Sequence, residues 1–159
     1  MTSSLVGSEM CIRDRNIRMT ADKCPFLNDE GRCSIHSARP GFCRLFPLGR
    51  YYTDDGFRYI LQIHECERAG RTKVKVSKWI DTEDLPRYTK YINDWHKFQK
   101  DMQRNLIEYM SAGEDETARN QTMLVLQVMY VGMYDAEKDF YEQFDARLAH
   151  IRSLLCMTE

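Results

Sequence analysis

Neither sign of charge dominates this sequence of 159 residues, which has 23 basic and 24 acidic side chains. Because nucleic-acid binding needs a basic surface, a strongly basic nucleic-acid-binding domain is excluded. The most apolar stretch, residues 123–134, is interrupted by Gln127 and is shorter than the roughly 20 residues of a membrane-spanning helix. A secretory signal pattern is also lacking. We therefore expect a cytoplasmic protein whose partner is neither nucleic acid nor a membrane.

Cysteine is too sparse overall for a disulfide scaffold, with six residues in 159. Its distribution is uneven, however, because four of the six lie between residues 24 and 66. In a reducing compartment, clustered cysteines are more often metal ligands or catalytic groups than disulfides. The local cysteine density is therefore the main functional signal of the sequence.

The first fifteen residues, MTSSLVGSEMCIRDR, follow neither the period of a helix nor that of a strand. The string from Ser4 to Arg15 resembles translated sequencing-adapter sequence. We expect residues 1–15 to be a non-native leader, which would make Cys11 foreign to the protein; a native disordered tail is the alternative.

Residues 16–81 are predicted to form a cysteine-containing region with little core of its own. Its first part is irregular, because prolines and glycines recur up to Gly49. Residues 50–63 read as a β-hairpin that turns at Asp54-Asp55-Gly56, since aromatic and β-branched residues flank a glycine-containing turn. The alternating residues 73–76 predict a third short strand.

Residues 82–159 are predicted to form a bundle of three helices. The first begins near Asp81–Asp84, with Thr82 or Asp84 as its N-cap, and ends before Gly113. The second covers 116–133, where apolar residues on nearly every side predict a central, buried helix. Asp135 is the expected N-cap of the third. The aromatic and methionine stripes are expected to be core rather than a cofactor site. The predicted fold class is α+β, mainly α, with an irregular loop and a hairpin packed on three helices.

The four clustered cysteines follow the spacing Cys-x8-Cys-x9-Cys-x22-Cys, which differs from paired Cys-x2-Cys zinc modules. The predicted hairpin turn lies midway between Cys43 and Cys66, so folding should bring these two close together. Sulfur ligands favour Zn²⁺, iron or an iron–sulfur cluster. The predicted ligands are Cys24, Cys33, Cys43 and Cys66.

Other residues near this spacing have secondary roles in the prediction. His36 and His64 could replace a cysteine ligand, although a structural role is expected of each because four cysteines already complete a coordination set. Cys156, on the third predicted helix, is expected to be a packing or free thiol. Basic residues could offset the charge of thiolates; they are Lys23, Arg32, Arg39, Arg44 and Arg50.

The segment CPFLNDEGRCSIHSARPGFCRLFPLGR, residues 24–50, resembles the YkgJ-like cysteine-cluster family, which is described as a zinc- or iron-chelating domain. His64-Glu65-Cys66 fits the same resemblance, and the helical part is similar to the longer bacterial members. The resemblance implies chelation by the four cysteines named above. The family's further upstream cysteine cluster has no counterpart here, so we expect an N-terminally truncated member.

Three hypotheses about function follow. The leading one is a cytosolic bacterial metal-binding protein with zinc, iron or an iron–sulfur cluster. The resemblance also implies an enzyme similar to flagellin lysine N-methylases, which would use S-adenosylmethionine and a protein-lysine substrate, although no glycine-rich cofactor loop is present. The third is an interaction module in which a metal only stabilises the fold.

Overall fold

The computed structural model describes residues 23–62 and 72–157. Helices predominate and the described strands form one antiparallel hairpin, so the α+β, mainly α class is confirmed. In chain order the regular elements are a 3-10 turn at His36–Ala38, helix α1 at Gly41–Leu45, strand β1 at Leu48–Thr53, strand β2 at Gly56–Leu61, helix α2 at Val76–Ile80, helix α3 at Leu85–Ser111, helix α4 at Asp115–Leu126, a π-helical turn at Gln127–Val131 and helix α5 at Phe140–Leu154.

The predicted hairpin is present and begins at Leu48, before the expected start. Thr53 pairs with Gly56, which leaves Asp54 and Asp55 as a two-residue turn. Gly56 has a φ of +132°, a value that a side chain would disfavour. The local turn signal therefore set the register of both strands.

The hairpin lies on the N-terminal half of helix α3. The rings of Tyr52 and His96 stack with centroids 3.6 Å apart. A Cβ atom at Gly56 would lie 3.3 Å from the side-chain nitrogen of Asn93, so the turn approaches the helix closely. These contacts connect the cysteine-containing region to the helices.

The third strand expected at residues 73–76 is wrong. Residues 72–75 have no regular structure, and helix α2 begins at Val76. The cause is packing: Ile80 is fully buried, and the indole nitrogen of Trp79 donates a hydrogen bond to the carbonyl oxygen of Phe46 at 3.0 Å. A four-residue alternation is too short to outweigh such tertiary contacts.

Helix α3 begins as predicted. The side chain of Asp84 accepts a hydrogen bond from the backbone nitrogen of Arg87 at 3.0 Å and so caps the helix. Gly113 follows the helix end with a φ of +77°. One face of the helix packs into a buried core made of Phe98, Met102, Met129, Phe144, Leu148 and Ile151. The prediction that the aromatic and methionine stripes form core is confirmed at these positions.

The other two helices differ from the prediction. The second was expected to be buried on nearly every side, but Met123, Val131 and Met133 are 58%, 61% and 90% exposed. Helix α3, which is longer, supplies the central face instead. The third helix is capped by Asp139 rather than Asp135, because the Asp139 carboxylate accepts from the backbone nitrogen of Glu142 at 2.9 Å. Asp135 accepts from Glu137 in the preceding turn.

Candidate metal centre

The first two candidate cysteines lie on a compact loop. The backbone nitrogen of Leu27 donates to the carbonyl oxygen of Cys24 at 3.2 Å, which closes a turn. Leu27 then forms an antiparallel bridge with Cys33. Between them, Gly31 has a φ of +72° and donates to the carbonyl oxygen of Asn28. The local hydrogen bonds therefore return the chain so that Cys33 comes near the start of the loop.

The third candidate cysteine, Cys43, lies on the short helix α1 and is partly buried. The guanidinium of the adjacent Arg44 donates to three carbonyl oxygens, those of Ser37, Arg39 and Asp81. These bonds join the 3-10 turn, the start of α1 and the end of α2. Arg44 therefore fixes the backbone around Cys43.

Cys43 is influenced electrostatically by its surroundings. The pKa of Cys43 is raised, first by burial and then by the negative charges of Cys24 and Cys33. The positive charge of Arg39 acts in the opposite direction and lowers this pKa. Cys24 and Cys33 therefore lie near enough to Cys43 to oppose the loss of its proton.

Arg39 has a second relevant property. Its Nε is buried, and within the part of the chain that the structure describes this atom has no hydrogen-bond partner. A buried donor without a partner is costly and calls for an acceptor. A metal-bound thiolate sulfur would be one, so the donor set and this guanidinium suit a cysteine-ligated metal.

The remaining ligand predictions have different outcomes. Cys66 and His64 lie outside the described residues, so Cys66 as a ligand stays a prediction. His36 is exposed at the beginning of the 3-10 turn. Cys156 is exposed at the end of helix α5 and, like the other three cysteines in the described ranges, is not in a disulfide. Among residues 23–62 and 72–157, no three cysteine, histidine or carboxylate side chains are arranged as a closed set of metal ligands.

The basic residues near the sulfurs do not share one role. Arg39 acts on Cys43, whereas Arg44 binds backbone carbonyls. Arg32 is exposed and lies near Glu30, and Arg50 lies over the rings of Phe57 and Tyr88. These arginines are close to the cysteines in the sequence, which is why they were predicted to share one role. Nothing in the sequence distinguishes Arg39, which acts on the Cys43 thiol, from arginines such as Arg44 that bind the backbone.

Comparison with known proteins agrees with the cysteine pattern. Residues 3–67 match the family CxxCxxCC, "Putative zinc- or iron-chelating domain". No curated protein and no solved structure matches the chain. In the described part of the chain, none of the helices has the length and apolar character to span a bilayer.

The matched segment contains all four candidate ligands. It also includes most of residues 1–15, and the non-native origin of that leader stays a prediction. Over residues 3–67, this chain is therefore similar to the family described as a "Putative zinc- or iron-chelating domain".

Proposed function

We propose that the protein binds zinc, iron or an iron–sulfur cluster through Cys24, Cys33, Cys43 and Cys66. The observation that carries the proposal is that all four cysteines lie within residues 3–67, which match a zinc- or iron-chelating family. Soft thiolate ligands select these metals, and the family match indicates the same chemistry.

The charge near the sulfurs supports this assignment. Thiolates must lose their protons to bind a metal, and their mutual repulsion opposes that loss. Arg39 favours the charged form of Cys43 and offers a buried Nε–H. Arg39 therefore acts as the outer partner of a negatively charged sulfur site, a role that commonly tunes metal affinity.

The metal would order a loop that the hydrophobic core does not hold. Among the side chains that the structure describes within residues 23–47, Leu45 is the one buried hydrophobic residue. Because a ligand set seldom closes before its metal binds, we expect the sulfurs to draw together on binding. The proposal includes a reducing, cytoplasmic location, since these thiols must stay reduced.

The test is metal analysis of protein purified without oxygen, together with its absorption spectrum in the visible range. Wild type should carry bound zinc, or iron with the absorption of an iron–sulfur cluster. Cys33→Ser and Cys43→Ser should each lose most of the metal, and Cys66→Ser should do the same. Cys156→Ser is the matched control, because Cys156 is an exposed thiol at the end of helix α5. This variant should keep the metal content of wild type.

Two results would overturn the proposal. Wild-type protein that contains neither zinc nor iron after anaerobic purification would contradict metal binding itself. Full metal content in Cys33→Ser and Cys43→Ser, with the variants folded by circular dichroism, would remove these residues from the ligand set.

A further inference from the structure

The helical region contains a small cavity between helix α3, the π-helical turn and the start of helix α5. Its volume is about 150 Å³ and it opens to solvent. Met129 and Phe144, which are 5% and 3% exposed, belong to the buried core and form part of its wall. Six aromatic side chains line it: Tyr91, Trp95, Tyr130, Tyr134, Phe140 and Phe144.

One wall of the cavity is built by the π-helical turn. This turn, Gln127–Val131, supplies Met129 and Tyr130. Its carbonyl groups are held by Arg147, which donates to the carbonyl oxygens of Val128 at 3.0 Å and Gly132 at 2.6 Å. π-helical turns are rare and are found frequently at functional sites. The wall is therefore a fixed and unusual piece of backbone rather than a loosely packed part of the core.

The rings of the cavity form an environment that attracts positive charge. The lining side chains are aromatic except for Met129, and burial raises the pKa of Tyr91 to about 12. An aromatic ring attracts cations to its face, and the guanidinium carbon of Arg147 already lies 3.8 Å from the centroid of the Tyr134 ring. One ring of this group thus already binds a cation, and Arg147 is not among the residues that line the cavity.

Carboxylates next to the lining residues outnumber the cations by a small margin, since Arg87 pairs with Asp139 and Lys138 with Asp135. Residues 135–139, which connect Tyr134 to Phe140, contain three acidic residues and one lysine. Beside Tyr91, Lys90 is shared between the carboxylates of Asp94 and Asp145. The helical region as a whole, residues 82–159, has 9 basic and 14 acidic residues, a net charge of −5. This field favours a cationic ligand over an anionic one.

We propose that this cavity binds a methylated ammonium group. An aromatic cage suits such a cation, because its methyl groups pack on the rings while its charge is attracted to their faces. Cavities of about 150 Å³ hold a molecule as large as benzene, and a trimethylammonium group has similar bulk. Choline-like molecules and trimethylated lysine side chains share this chemistry. The proposal is independent of the metal centre.

The test is a titration of the full chain with choline and, separately, with its neutral isostere 3,3-dimethylbutan-1-ol. Binding is detected by the NMR signals of the tryptophan indole groups. Trp95 lines the cavity, whereas Trp79 lies on helix α2 and serves as an internal control. Choline should shift the Trp95 signal and leave that of Trp79 in place, and the isostere should bind about tenfold more weakly. A short peptide that contains trimethyllysine, compared with its unmethylated form, shows which kind of molecule supplies the methylated ammonium group. If the trimethyllysine peptide binds more tightly than choline, the ligand is a methylated lysine. If it binds more weakly, the ligand is a free ammonium compound.

Variants separate the cage from a merely apolar cavity. Phe140→Leu keeps an apolar side chain at a 42% exposed position but removes a ring, and should weaken choline binding about fivefold or more. Phe42→Leu is the matched control at an exposed phenylalanine outside the cavity and should bind normally. Cys33→Ser should also bind choline normally, which keeps this test apart from that of the metal centre. Equal binding of choline and its isostere, or no shift at Trp95 in the folded protein, would overturn the proposal.

Discussion

The ring of Tyr52 in strand β1 stacks on the imidazole of His96 in helix α3, with centroids 3.6 Å apart and planes inclined by 14°. This pair, with the approach of Gly56 to Asn93, holds the hairpin against the helix. The hairpin follows shortly after helix α1, which carries Cys43. The stack therefore positions the chain on one side of the candidate metal centre.

Protonation of His96 is expected to weaken this contact. The pKa of His96 is lowered, first by burial and then by the positive charge of Lys100. Because the folded state holds a proton less readily than the unfolded state, stability should be complete above about pH 6.5 and should fall as the pH drops toward the lower, folded-state pKa. Urea unfolding at several pH values measures this loss.

The exposed His150 on helix α5 provides the control for this pH dependence. His96→Gln should flatten the stability profile between about pH 7 and pH 5, whereas His150→Gln should leave its slope as in wild type. An unchanged slope in His96→Gln would show that another group causes the pH dependence.

Arg39 is expected to strengthen metal binding without being a ligand. Its charge favours the thiolate of Cys43, and its Nε is a buried donor. Arg39→Gln should therefore lower the metal affinity about tenfold, the effect that outer partners of metal ligands usually have. Competition with a chromophoric chelator measures the affinity.

Arg32→Gln is the matched control for the loss of one positive charge, since Arg32 is exposed in the same loop. It should retain wild-type affinity. Equal losses in the two variants would indicate a general effect of net charge instead of a local one at Cys43.

Gly31 is expected to matter for the metal loop through its backbone. Its φ of +72° lies in the left-handed region, and no atom lies within 4 Å of a Cβ built there. Gly31→Ala should therefore cost about 1 kcal/mol from conformation alone, and it should speed loss of metal to a chelator. Gly31→Asn should cost less, because asparagine tolerates this conformation.

Gly113 offers a matched control because its φ is +77° and its surroundings are equally open. Gly113→Ala should lower the stability of the helical region by a similar amount and leave metal loss unchanged. If both alanine variants released metal at the same rate, the Gly31 turn would have no particular role in the centre.

The sequence predicted those elements whose signals are local. The turn Asp54-Asp55-Gly56 fixed the hairpin, and the Asp84 cap fixed the start of helix α3. In both, a short-range backbone preference and the tertiary contacts favour the same structure. The bridge between Leu27 and Cys33 is local in the same sense, because hydrogen bonds within one short loop form it.

Where tertiary contacts opposed the local pattern, the sequence was misleading. Burial of Ile80 made a helix where alternation had indicated a strand at residues 73–76. Asp135 and Asp139 are both good N-caps, and only the packing after the π-helical turn selects Asp139. The cavity could not be predicted from the sequence either. Its aromatic residues fit the pattern of an ordinary core, and the π-helical turn that forms one wall has no recognisable sequence signal.

Arg147 is expected to stabilise the π-helical turn. Its guanidinium donates to the carbonyl oxygens of Val128, Gly132 and Met133, which a lysine could not bind together. Arg147→Lys should therefore lower the free energy of unfolding by about 1–3 kcal/mol, the cost of leaving such groups without partners. Arg119→Lys, at an exposed position on helix α4, is the matched control and should stay within about 0.5 kcal/mol of wild type. Urea unfolding measures both. A loss in Arg147→Lys no larger than that of the control would mean that water satisfies these carbonyls and that the turn holds its shape without the guanidinium.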